Sequence, residues 1–304
     1  MTHPYASEAY AASLAHSGAS VSVPEWRGHV LSRATPCGTR RDAMGPYPIT
    51  VLPPDADLAG GRQRLGAAGF VSVVLVLEER LRPPLEALTD GFDFVRPFKS
   101  HSVYDRRLGP IAYSGQHRTK LKRALGRVER AELRLADHLP AWEALYGHLI
   151  DRHGLTGLHA FPPGHHQTLA RLPGVRAFGA FMGGRLVSAH VFVAHQGHAI
   201  SHLTASDPEG YASGAAYAVN DLAIAALSDC ETINFGGGAG LGDDPGDGLV
   251  QFKRGFANTV SPSYLCGAIL DEAAYRTLSG DTDSGFFPAY RAPGGSASTP
   301  ATRG

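Results

Sequence analysis

Three runs of apolar or alternating residues, 175–182, 185–195 and 198–205, are separated only by Gly183-Gly184 and Gln196-Gly197. Two-residue turns of this kind leave no room for a crossover, so the runs must fold back on one another as antiparallel hairpins. The next stretch, 211–229, is rich in alanine and carries Tyr217, Leu222, Ile224 and Leu227, a pattern suited to a helix packed on a sheet. A strand at 231–235, a short helix around Lys253 and a last strand at 264–270 follow. A meander that turns into a helical crossover is an α/β layered domain.

The preceding half is less regular. Strands are expected at 71–77 and 92–98 around a helix at 81–89, then an amphipathic helix at 116–130, a short strand at 132–135 and a helix at 140–153. Regions rich in Pro and Gly punctuate the chain at 36–54 and 155–164, and His165 and His166 just beyond the second read as loop. The 304 residues are expected to divide into a flexible N-terminus (1–23), an N-terminal half (24–138), a C-terminal domain (139–291) and a disordered tail (292–304).

Charge excludes one large class of function. The chain has 28 acidic and 28 basic groups, so no global field draws in nucleic acid, and any polyanion must find a local patch. Cys37, Cys230 and Cys266 are odd in number and contain no CxxC pair, which fits a reducing cytoplasm better than a disulfide framework or a cysteine zinc site. The longest apolar run, 70–77, is too short to span a bilayer, and the first residues lack the pattern of a signal peptide. Arginine-rich, lysine-poor composition points to a GC-rich, bacterial genome. Gly-x-Ser-x-Gly, HExxH and P-loop motifs are absent.

Against that background the run Asp247-Gly-Leu-Val-Gln-Phe-Lys-Arg-Gly-Phe256 stands out, because Lys253 is one of only four lysines in the chain. A compact, desolvatable ammonium suits negative charge developing on an acyl oxygen; on the residues alone, a solvated lysine on an amphipathic helix fits equally well. Gly236, Gly237 and Gly238 close the preceding strand and permit close backbone approach to a ligand, or else form a flexible turn. Asp243, Asp244 and Asp247 lack the spacing of a calcium loop and read as solvated carboxylates. Arg118, Lys120, Lys122, Arg123 and Arg127 make one predicted helix basic, with Arg123 and Arg127 on a common face; the patch suits a phosphate-bearing partner or is a solvated surface. With Gln196-Gly197 as the turn, His195 should face His198 and Val191 should face His202. No metal site is expected there, and His202, close in sequence to Asp207 and Glu209, is the candidate general base. The cluster Phe286-Phe287-Pro-Ala-Tyr290-Arg291 is expected to cap a groove or clamp the C-terminal segment to the core.

The element order, with Gly-Tyr-Ala-Ser-Gly-Ala-Ala (210–216) opening the central helix, resembles the GNAT acyltransferase fold. Gly236-Gly-Gly followed by Asp-Gly-Leu-x-x-Phe-Lys-x-x-Phe resembles the Fem-type branch, as does the basic stretch 116–127. The resemblance implies tandem GNAT-like halves, with mixed, mostly antiparallel sheets and packed helices. It also implies transfer of an aminoacyl group from aminoacyl-tRNA to an amine of a cell-wall precursor or natural product, without a further cofactor. Lys253 then takes the oxyanion role, Phe252 shapes the pocket, and Gly236, Gly237, Gly238, Tyr211, Gly214, Tyr217, Lys120, Arg123 and Arg127 border the substrates. Enzymes using acetyl-CoA carry Arg or Gln where this chain has Tyr211, a departure that weakens acyl-CoA, the alternative donor. A GNAT-like module that only binds an anionic ligand is the remaining alternative.

Overall fold

The computed structural model describes residues 2–240, 244, 246–280 and 285–292. Along the chain the elements are α1 (Glu8–Ser13), β1 (Ala19–Val23), β2 (Gly28–Ala34), β3 (Arg41–Met44), α2 (Leu58–Ala67), β4 (Phe70–Glu78), α3 (Leu85–Gly91) and β5 (Phe94–Asp105). They continue with α4 (Gly115–Leu125), β6 (Glu129–Leu133), α5 (Leu139–His153), α6 (Pro163–Leu169), β7 (Val175–Met182), β8 (Arg185–His195) and β9 (His198–Ser206). The last are α7 (Pro208–Ser213), α8 (Ala215–Ala226), β10 (Thr232–Asn234), α9 (Gly248–Arg254), β11 (Thr259–Ile269) and α10 (Glu272–Ser279).

The fold class is the expected one, α/β with mixed, mostly antiparallel strand pairing. The chain forms two compact units that do not coincide with the expected halves: residues 1–98 with 263–304, and residues 99–262. In the first unit β1, β2 and β3 pair antiparallel in sequence order, β3 runs parallel to β4, and β4 pairs antiparallel with the 263–269 part of β11. Its core gathers Trp26, Val30, Leu65, Phe70, Val73, Leu75 and Phe92.

The N-terminal segment expected to be flexible is built into this unit. Ser7 caps α1, Tyr5 and Tyr10 are buried, and the Tyr10 hydroxyl donates to Tyr47 O. Two aromatic side chains bury enough apolar area to order a short segment that has little periodicity of its own. The C-terminal aromatic cluster is a clamp within the same unit. Tyr290 meets Ser72 Oγ at 2.6 Å and donates to Asp42, a fully buried carboxylate that also accepts from Arg33 and Arg291. The expected tail beyond 292 lies outside the described residues.

The second unit holds the hairpins. β7, β8 and β9 pair antiparallel through turns with positive φ at Gly183, Gly184, Gln196 and Gly197, the backbone that two-residue hairpin turns demand. β6 adds antiparallel to β7, β10 runs parallel to β9, and the 103–105 part of β5 pairs antiparallel with β10. Helix α8 packs on β6, β7 and β8, while α5 packs on β8 and β9. Phe178, Phe192, Val219, Phe235 and Phe256 form the core.

Three helix and loop assignments within this unit need correction. The helix expected over 116–130 stops at Leu125, with Gly126 as its C-cap, so Arg127 shares no helical face with Arg123. The helix expected over 211–229 is two: Gly214 takes φ +72°, a left-handed conformation that ends α7 and starts α8 at a new angle. His165 and His166 are not in a loop; they are buried in α6, which Pro163 initiates.

Candidate functional site

All site residues lie in the unit formed by residues 99–262. Beyond β10, Phe235 N donates to Ser102 O and Ser102 N donates to Gly236 O, so pairing continues past the strand end. The chain then turns. Asn234 Oδ1 accepts from Gly236 N at 2.8 Å, and Gly236 has φ +77°, where an L side chain is strained. Crowding explains the other two glycines. A Cβ at Gly238 would come 2.8 Å from Val250 Cγ2, and one at Gly237 would lie 3.2 Å from the stem of Lys99.

Asp247 caps α9 by accepting from Leu249 N (2.7 Å) and Val250 N (3.1 Å), which fixes the helix that carries Lys253. Lys253 Nζ donates to Gly237 O at 2.6 Å. Burial, helped by the nearby Lys99 ammonium and opposed by Asp247, lowers Lys253 from the ordinary lysine value to about 8. The result is a cation aimed at a glycine turn and only moderately committed to its charge. Asp244 accepts from Gly246 N, and Asp243 lies outside the described residues. Among the described residues no three His, Cys, Asp or Glu side chains are placed to hold a metal ion.

The residue before the lysine joins this turn to a second feature. Phe252 meets Tyr217 edge to face, with centroids 4.9 Å apart. Tyr217, from the first turn of α8, also contacts His117 and Phe256. It lines a cleft of 270 Å³ together with Lys120, Arg123, Tyr211, Ala212, Ser213 and Gly214. Helix α4 buries His117, Leu121 and Ala124 at i, i+4 and i+7, and Lys120 and Arg123, on a flank of that face, reach the cleft. No side chain caps α8; Tyr217 N donates to Gly214 O, and the helix start, with the positive end of its dipole, lies beside those two cations. The expected residues Lys120, Arg123, Tyr211, Gly214 and Tyr217 therefore converge on one cleft, with Phe252 as its link to Lys253. Arg127 does not line it; its guanidinium donates to Ala212 O, on the α7 backbone, at 3.3 Å. A more open depression of 330 Å³, lined by Arg254, Ala257, Asn258, Thr259 and Val260, has one cation and no aromatic ring.

His202 sits differently from its expected place. Val191 pairs with Leu203 and Phe192 with Ser201, so a bulge leaves His202 as the extra residue of β9 rather than opposite Val191; the expected His195↔His198 pair does form. Its ring is buried 5.8 Å from that of His165, and burial, with His166 and His190, lowers it to about 3. Asp207 and Glu209 instead pair with Arg185.

Three residues were not anticipated at the site. Arg152 of α5 stacks over the Tyr211 ring at 3.9 Å. His117 fits under the Tyr217 and Phe256 rings, in space kept open by Gly255, where a Cβ would meet it at 2.1 Å. Lys99 reaches the glycine turn itself, donating to Gly238 O. The scarcity of lysine that singled out Lys253 applies equally to Lys99.

Residues 115–254 match the family described as acetyltransferase (GNAT) domain. No curated protein matches the chain. Among solved structures it is similar to the C-terminal domain of a putative lysylphosphatidylglycerol synthetase from Agrobacterium fabrum, at 12% identity and TM-score 0.59, over 87% of this chain and 88% of that one. FemX matches at 12% identity and TM-score 0.56, over 82% of this chain and 86% of its own. L-PGS from Bacillus licheniformis matches at 12% identity and TM-score 0.56, over 90% and 95%. At such identity the likeness is one of fold, and it extends over most of the chain.

Proposed function

We propose that this chain, which carries a GNAT acyltransferase domain and has a Fem-like fold, is an aminoacyltransferase that joins the aminoacyl group of an aminoacyl-tRNA to an amine. The observation that carries the reading is the continuity from the cationic cleft at the start of α8, through Tyr217 and Phe252, to the Lys253 ammonium. Such a layout suits a donor whose phosphates and reactive carbonyl are apart. Lys120, Arg123 and the open end of α8 receive phosphate, while the carbonyl lies against Lys253.

In the reaction the neutral amine attacks the ester carbonyl, forming the C–N bond. The oxygen gains negative charge beside the ammonium, and collapse breaks the ester C–O bond. The ribose hydroxyl leaves with a proton, the amine having lost one. A donor of this kind places the reaction in the cytoplasm. Among the described residues no helix is long and apolar enough to cross a membrane. The acceptor is an amine of a cell-wall precursor or natural product.

One observation favours acyl-CoA as a second reading. Lys120 and Arg123 bring to the α8 cleft the positive charge that Tyr211 does not supply, and a pyrophosphate could use it. The donors separate in a direct assay of purified protein with varied amines. With aminoacyl-tRNA, product should form and ribonuclease should abolish it, while acetyl-CoA should show no saturable binding in the micromolar range. Tight CoA binding with transfer that survives ribonuclease would install the second reading instead.

A further inference from the structure

The glycine turn is gripped from two sides. Lys253 Nζ donates to Gly237 O at 2.6 Å; Lys99 Nζ, from β5, donates to the next carbonyl, Gly238 O, at 2.6 Å and also to Gly240 O. The Lys99 stem fills the space beside Gly237, 3.2 Å from where a Cβ would stand. Two of the chain's four lysines therefore meet carbonyls of one short turn.

We propose that Lys99 is a positioning residue for Lys253: by tying down the carbonyls of Gly238 and Gly240, it fixes the turn whose Gly237 carbonyl aims the Lys253 ammonium. The inference rests on Lys253 acting in acyl transfer, although its placement by Lys99 can be tested separately. Without Lys99, the turn loses two hydrogen bonds and Lys253 loses a like-charged neighbour. Both changes reach Lys253. Among the described residues, Asp247 at the head of α9 favours the Lys253 charge, His190 of β8 feels Lys253, and His159 feels Lys99. His190 is held well below neutrality, to about 3, so it adds no charge near pH 7 that would mask the Lys99 effect.

The experiment compares the full-length wild type with Lys99→Met and Lys99→Arg in two readouts, the pH profile of acyl transfer and the pH dependence of Lys253 labelling by an amine-reactive ester. Labelling is read by mass spectrometry of the peptide containing Lys253. Lys99→Met should lower kcat about tenfold or more and move the labelling midpoint up by about half a pH unit or more, because a like charge has gone. Lys99→Arg keeps charge and donors, so it should hold the wild-type midpoint and recover part of the rate. An unchanged midpoint and rate in Lys99→Met overturn the proposal. A rate loss with no midpoint movement, equal in both variants, makes Lys99 a plain packing residue and overturns it as well. Thermal melts accompany both variants; if Lys99→Met does not fold, Lys99→Gln takes its place under the same criteria. Because labelling needs no turnover, full activity in Lys253→Ala would remove the proposed function while leaving the placement of Lys253 by Lys99 to the midpoint alone.

Discussion

An amine held to about 8 by burial and a neighbouring cation has a working range in the oxyanion role proposed for Lys253. Below that value Lys253 is charged and can meet an oxyanion; above it the charge fades. Acyl transfer should therefore lose rate along a descending limb near pH 8, and Lys253→Ala should lower kcat by about 10²-fold or more. A profile still rising through pH 9 would remove the ammonium from the mechanism. The same shift has a stability side. Between about 8 and the ordinary lysine value the unfolded chain binds the extra proton, so wild-type stability should rise with pH across that window. At pH 7 the charged form carries the full penalty, so Lys253→Met should be more stable than wild type by about 1 to 3 kcal/mol in denaturant titrations, the gain shrinking toward pH 10. Scarcity and a short motif made Lys253 legible in sequence. Lys99 stayed hidden because the expected strand stopped at residue 98, just short of it, whereas β5 runs on to Asp105 and carries Lys99 to the turn.

Helices decide where the cations of the cleft stand. Leu121 and Ala124 anchor α4, the joint at Gly214 aims α8, and the first turn of α8 meets Lys120 and Arg123 in one cleft. Gly214→Ala should cost about 1–2 kcal/mol in a melt, because a Cβ at φ +72° is strained, and it should weaken donor binding by misplacing Tyr217. Lys120→Glu with Arg123→Glu should weaken tRNA binding and flatten its dependence on salt; equal, salt-independent binding by wild type and variant would return α4 to an ordinary solvated face. The hairpins, their turns and α5 could be read directly, since glycine turns and apolar spacing are local signals. The Gly214 break, the early end of α4 and the bulge at His202 could not. The first two turn on single glycines, Gly214 and Gly126, set in otherwise continuous helical patterns, and the bulge interrupts an alternating pattern that runs straight through it.

At the scale of the whole molecule, imidazoles dominate the acid side. Burial lowers His166 to about 4 and His190 and His202 to about 3, all within the unit of residues 99–262. Unfolded, each takes up a proton near its ordinary value; folded, each resists until far lower pH. Stability is therefore fully present above about pH 6.5 and should fall by up to about 1.4 kcal/mol per pH unit for each such histidine as pH drops toward 4. Urea midpoints at pH 7, 6 and 5 should decline steeply, and His202→Gln should soften the decline; a flat series would mean these rings are already solvated. The division of the chain has a consequence in time. The first unit is assembled from residues 1–98 and 263–304, and Glu78 of β4 has its antiparallel partner in Ser263. On the ribosome β4 must wait, its hydrogen-bonding edge unfilled, while the entire intervening unit is translated, a delay on the order of ten seconds or more. The unit of residues 99–262 can therefore emerge complete while the older part of the nascent chain is still unfinished, exposed meanwhile to chaperones and to mispairing.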